Sequence, residues 1–143
     1  SGCGKSTILR ALAGFLPTAE MYIVTTPQPV AQKVAQRAAY MAEKVRITVK
    51  GVIENMSWFT ADDGTRYELF GSGGGAELAE QLGVRFIGQV PLIPELREGS
   101  DNGDPVAARP ETEAGAVFAE MARVLDEEMK SSKRAHPELK LLS

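Results

Sequence analysis

The chain has a single cysteine, Cys3, and a single histidine, His136, among its 143 residues. One thiol cannot form an intrachain disulfide, which excludes the disulfide-stapled folds of small secreted domains. One thiol and one imidazole also cannot build a Cys/His metal site within the chain. No apolar run approaches the roughly 18 to 20 residues that a membrane span needs, and no signal-peptide pattern is present. A membrane is therefore not an expected partner, and cytoplasm is the expected compartment. Basic residues are outnumbered, 16 Lys and Arg against 19 Asp and Glu. Affinity for a phosphate backbone needs clustered Lys and Arg, so nucleic acid is not an expected partner either.

What is present is patterned. The hydrophobic share is 43%, enough for one modest core, and fourteen Gly with eight Pro punctuate the chain frequently. Residues 21–26, Met-Tyr-Ile-Val-Thr-Thr, form a short β-branched run closed by Pro27, the signature of a buried parallel strand. Residues 30–44 read as a helix with Val30, Val34, Ala38 and Met41 on its apolar stripe. Residues 46–54 read as the next strand. Asp62-Asp63-Gly64 between Trp58-Phe59 and Tyr67-Leu69-Phe70 is a hairpin signal. A glycine run, 71–75, leads into a helix over 76–82 stopped by Gly83, and residues 85–90 form a third strand closed by Pro91. Residues 92–112 hold three prolines and read as irregular, a last helix spans 113–128, and the tail from Met129 reads as frayed or disordered. Alternating strands and helices predict an α/β fold, a parallel sheet with flanking helices.

The chain opens on Ser-Gly-Cys-Gly-Lys-Ser-Thr, followed by a helical pattern with Leu9, Leu12 and Phe15 on one face. Gly4-Lys5-Ser6 is the closing half of a P-loop, Gly-x-x-x-x-Gly-Lys-Ser/Thr, whose first glycine would precede Ser1. The chain thus reads as an N-terminally truncated piece of something longer. Small residues such as Gly2 and Gly4 let backbone N–H groups turn inward around phosphate oxygens. Lys5 would set a cation on the β/γ-phosphates, the Ser6 hydroxyl would ligate Mg²⁺, and the helix that follows Thr7 would add a dipole that favours phosphate. ATP and Mg²⁺ are the expected ligands. A glycine-rich approach to a helix is the plainer alternative, and Cys3 reads as loop filler.

Two resemblances follow from longer strings. Residues 1–17 look like the P-loop and first helix of an ABC-transporter ATPase. Residues 15–126 resemble the Mrp/ApbC family, ATP-binding proteins implicated as iron–sulfur cluster carriers, through the strings at 16–21, 24–28, 31–35, 51–57, 70–75, 88–92 and 96–99. The second resemblance implies a P-loop NTPase of the deviant (SIMIBI) class, a metal-binding hydrolase that dimerises around ATP and serves iron–sulfur apoproteins. It implies a partial NTPase domain over 1–128. It also shows what the chain lacks: the family loop's extra lysine, its Asp-x-Pro-Pro-Gly-Thr switch segment before Leu16, and its Cys-x-x-Cys after Asn-Met-Ser. Without the switch carboxylate the phosphoryl-transfer machinery is incomplete. Without the thiolates a cluster is not bound in the usual way.

Asn55 follows a strand at the carboxyl edge, where doubly wound sheets bind ligands. The resemblance implies that its carboxamide reads the adenine edge; a strand-closing turn is the alternative. Pro91 would wall the base pocket or merely end a strand. The glycine run at 71–75 reads as a hinge or close-packing turn, since no Lys-Ser/Thr follows it. Trp58, Phe59, Tyr67 and Phe70 read as the packed face of the hairpin, or else as a dimer or partner surface. Two readings of function result: an Mrp-type ATP-binding protein of iron–sulfur cluster assembly, catalytically incomplete, or a non-catalytic interaction module using the aromatic hairpin. An ABC-transporter ATPase fragment is a weaker third.

Overall fold

The computed structural model describes residues 20–134. The chain divides between Leu92 and Ile93 into two units. The first holds a three-stranded sheet in the order β1-β2-β5, all parallel, and a two-stranded antiparallel hairpin, β3-β4. Its elements are β1 (Glu20–Thr25), α1 (Pro29–Lys44), β2 (Thr48–Asn55), β3 (Phe59–Thr60), β4 (Arg66–Tyr67), α2 (Gly74–Leu82) and β5 (Arg85–Val90). Each pair of neighbouring sheet strands is joined by a helical crossover, as parallel pairing demands.

Local chemistry explains the boundaries. Pro29 takes the first helical position of α1, where its missing N–H costs nothing and its fixed φ is already helical. At the other end, Ile47 N–H donates to Ala42 O at 2.9 Å and Arg46 N–H to Glu43 O at 3.0 Å. This double closure puts Arg46 in the left-handed region at φ 59°. The same closure ends α2 at Gly83. In the hairpin, Gly64 at φ 82° and the Ala61 N–H to Thr65 O bond of 2.9 Å form the turn expected from Asp62-Asp63-Gly64.

The core of this unit joins Ile23 and Val52 of the sheet to Ala35 and Ala39 of α1 and Leu78 and Ala79 of α2. That corrects the expected stripe of α1. Val30, Val34 and Met41 are 75%, 62% and 60% exposed, while Ala35, Ala39 and Ala42 are buried. Small side chains let the helix lie close to both the sheet and α2, and that close contact, rather than side-chain bulk, selects the inward face.

The second unit holds α3 (Pro94–Asn102), a 3-10 turn at Val106–Ala108 and α4 (Glu113–Arg134). The expectation of an irregular 92–112 is corrected here. Pro94 starts a helix rather than breaking one, and Gly103 at φ 72° closes it. Helix α4 is capped by Thr112, whose Oγ1 accepts the Gly115 N–H at 3.0 Å. It continues to Arg134, past the expected end near residue 128, so residues 129–134 are helical rather than tail. Along it Arg123 binds Glu120 and Glu127, which raises the guanidinium pKa and lowers that of Glu120.

Candidate functional site

The loop residues Gly2, Cys3, Gly4, Lys5, Ser6 and Thr7 lie outside the described residues. The other two expected site residues meet at the carboxyl edge of the sheet. Asn55 is the last residue of β2 and pairs in register with Val90, the last of β5, so Pro91 stands one residue beyond. The ladder runs on past the strands, with Ser57 N–H on Val90 O at 3.0 Å and Leu92 N–H on Trp58 O at 2.7 Å. Pro91 is fully buried, part of the packing that supports this edge.

Asn55 is partly exposed. Its Oδ1 accepts the Met56 N–H at 2.9 Å. That bond leaves the Nδ2 donor to face another acceptor, which suits a ring nitrogen of a base. Met56 itself sits at φ 56°, a strained position for a side chain without local polar compensation. A groove of about 610 Å³ runs from Asn55 past Thr25 and Thr26 along Ala31 and Val34. A second cleft, about 560 Å³, is lined by Tyr40, Arg46 and Leu82 at the opposite, amino ends of the strands, away from this chemistry.

Beneath Asn55 lies a residue that the motif reading did not single out. Glu54 is wholly buried. Its Oε2 accepts the Gly75 N–H at 2.6 Å and its Oε1 accepts Gln89 Nε2 at 2.8 Å. Its backbone oxygen takes the Ser57 hydroxyl at 3.1 Å. One signal was available in the sequence: alternation puts Val52 and Glu54 on the same inward face, and a lone carboxylate there must find partners.

The glycine run is a close-packing turn. A Cβ on Gly75 would come within 2.7 Å of Glu54 Cβ and 3.1 Å of Phe86. A Cβ on Gly74 would overlap the Gln32 amide and the Pro27 carbonyl, which are themselves joined by a 2.8 Å hydrogen bond. Gly75 N–H, an otherwise unpaired first-turn donor of α2, is thus satisfied by a side chain 21 residues away.

The hairpin stands beside this junction. The Arg66 guanidinium lies 4.8 Å from the centre of the Trp58 ring. Asp63 Oδ1 accepts the Thr65 N–H at 2.8 Å, which holds the Asp63 carboxyl below its usual pKa. Trp58 and Phe59 are half-buried, whereas Tyr67 is 48% exposed, so only part of the expected aromatic face packs inward. The hairpin carries no thiolate, so it does not fit an iron–sulfur cluster as a ligand set. Among the described residues no group of three His, Cys, Asp or Glu is placed to hold a metal ion, and no helix is long and apolar enough to cross a membrane.

Comparison with known proteins extends this geometry. The family model ParA, described as the NUBPL iron-transfer P-loop NTPase, matches residues 2–126. Iron–sulfur cluster carrier proteins of Mycobacterium tuberculosis and Escherichia coli are 40% and 39% identical to the chain over 126 and 121 residues, 83% of this chain in each case. The chain spans about a third of the length of these curated relatives. A solved nucleotide-binding protein from Archaeoglobus fulgidus, in complex with ADP, superposes with TM-score 0.55 at 36% identity, covering 64% of this chain and 38% of that one. The septum site-determining protein MinD of Pyrococcus horikoshii, complexed with Mg-ADP, gives 0.61 at 21% identity over 85% of this chain and 46% of its own; it bears on the fold alone. The family match begins at residue 2 and takes in Gly4-Lys5-Ser6, so it lends no support to a separate ABC-transporter origin for residues 1–17.

Proposed function

Because this chain belongs to the ParA family of NUBPL iron-transfer P-loop NTPases, we propose that it binds ATP as the nucleotide-binding part of an iron–sulfur cluster carrier. One observation carries this reading: the family match is continuous across the phosphate loop and the sheet edge that ends in Asn55. Gly2, Gly4 and Thr7 present backbone N–H groups to the phosphates, Lys5 supplies the cation and Ser6 the hydroxyl for Mg²⁺. Asn55 offers its free amide donor to the adenine edge, with Pro91 holding the strand end beneath it. The whole protein acts as a cytoplasmic homodimer that delivers a cluster to apoproteins. In this chain the cluster is cargo, and the hairpin contributes none of its ligands.

The test is calorimetric titration with Mg·ATP and Mg·ADP. Lys5→Ala is expected to weaken binding by about tenfold or more, since a charge-assisted bond to phosphate contributes roughly 1.5 to 3 kcal/mol. Asn55→Ala is expected to cost about fivefold and to erase preference for adenine over guanine nucleotides. Equal heats in all three proteins, or none in any, would overturn the reading. A second reading, a hairpin interaction module without nucleotide affinity, is favoured by the exposure of Tyr67 and Leu69. Absence of heat in the wild type is the result it predicts.

A further inference from the structure

Glu54 is a buried carboxylate that the binding of nucleotide does not itself require. Its two oxygens are both engaged, one by the first turn of α2 and one by the side chain of β5. Between Glu54 and Gly75 the chain leaves the sheet, makes the hairpin and returns. Both ends of that excursion are fastened at one residue. It departs through the Ser57 hydroxyl bond to the Glu54 carbonyl and comes back through the Gly75 N–H bond to the Glu54 carboxylate. Closing a loop of this length costs conformational entropy, and the paired hydrogen bonds from Gly75 N–H and Gln89 Nε2, made where water does not compete, work against that cost. Gly75 lies so close that any Cβ would push the start of α2 away from Glu54 of β2 and Phe86 of β5.

We propose that Glu54 is a positioning residue, which fixes where the 59–67 hairpin and Asn55 stand relative to the carboxyl edge of the sheet. The carboxylate touches no ligand; it acts through Gly75, Gln89 and the backbone it shares with Asn55. In the arm that concerns nucleotide, this inference rests on the proposed binding role of Asn55.

The hairpin reports its own position. Trp58 is the only tryptophan of the chain. Its Nε1 is buried without a hydrogen-bond partner, and Arg66 stacks on its ring. Any loosening that admits water beside the indole shifts and quenches its emission. Three chains are compared without nucleotide: wild type, Glu54→Gln and Glu54→Ala. In Glu54→Gln the amide oxygen keeps the Gly75 N–H, and the Gln89 amide turns over to accept from the new NH₂ group. Wild-type emission and wild-type exchange of the Gly75 amide are expected. Glu54→Ala leaves Gly75 N–H and Gln89 unpaired; acrylamide quenching of Trp58 and exchange at Gly75 are each expected to rise several-fold. Equal behaviour of Glu54→Ala and wild type, or equal damage in Glu54→Gln and Glu54→Ala, would overturn the proposal.

Wild-type hydrogen exchange judges the proposal even if Glu54→Ala does not fold. Gly75 is expected to exchange in step with Ser57 and Ala61, as one cooperative unit; a Gly75 amide that opens independently of them would overturn it. With Mg·ADP added, Glu54→Ala is expected to lose about fivefold in affinity while Glu54→Gln keeps it. Absence of heat in the wild type sinks the nucleotide reading alone, because the fluorescence and exchange arms are read on the ligand-free chain.

Discussion

Arg46 occupies a backbone position that glycine holds at the ends of two other helices in this chain. Gly83 and Gly103 close their helices at φ 64° and 72°, and Arg46 closes α1 at 59° with the same pair of hydrogen bonds. A side chain in the left-handed region costs roughly 1 kcal/mol relative to glycine. Part of that cost is offset because Arg restricts the unfolded chain more than Gly does. Arg46→Gly is therefore expected to stabilise the fold by up to about 0.5 kcal/mol, read as a rise in the denaturant midpoint with an unchanged slope. A lowered midpoint would mean that the guanidinium makes a contact worth more than the strain. Glu54 and Asn55 show a different residue-scale lesson. They are adjacent on one strand, so they point to opposite faces; Glu54 is held within the fold, while Asn55 is the one proposed to meet nucleotide.

Much of the first unit was legible because its boundaries are written in residues with a single physical meaning. Pro27 and Pro91 end strands, Gly83 ends a helix, and Asp62-Asp63-Gly64 makes a turn. Residues 85–90 were placed to the residue. The facing of α1 was not legible, because a periodicity of valine and methionine competes with an equally regular series of alanines, and only the partner surface decides between them. Pro94 misled for a related reason: the same residue breaks a helix interior and opens a helix start. The site divided likewise. Asn55 and Pro91 could be placed at one edge from strand ends alone, while the grip of Glu54 on Gly75 spans 21 positions and leaves no local pattern. The alanine facing of α1 has a direct test. Ala39, 4% exposed, sits in the core cluster, so Ala39→Leu is expected to destabilise by about 1 to 3 kcal/mol through overpacking. Val34→Ala, on the exposed side, is expected to change stability by less than about 0.5 kcal/mol. Chemical denaturation of the pair decides, and a reversed order would restore the valine stripe.

At the scale of the whole chain, binding and turnover separate. On the proposed reading, Lys5, Ser6 and Asn55 hold the nucleotide, and each acts on the ground state. Hydrolysis needs more: a carboxylate to hold the metal and a group to orient the attacking water. The resemblance to the Mrp/ApbC family implies that these come from an Asp-x-Pro-Pro-Gly-Thr segment, and no such string stands between Lys5 and Glu20. The buried carboxylate nearest the site, Glu54, is already committed to Gly75 and Gln89 and is in no position to serve. We therefore expect this chain to bind Mg·ATP and return it intact. Phosphate release followed over hours at saturating Mg·ATP should match that of buffer, while calorimetry under the same conditions registers binding. Release that exceeds buffer and vanishes in Lys5→Ala would show that another acid of the chain holds the metal or the water, and Asp62 and Asp63 of the hairpin turn would be the first to replace by asparagine.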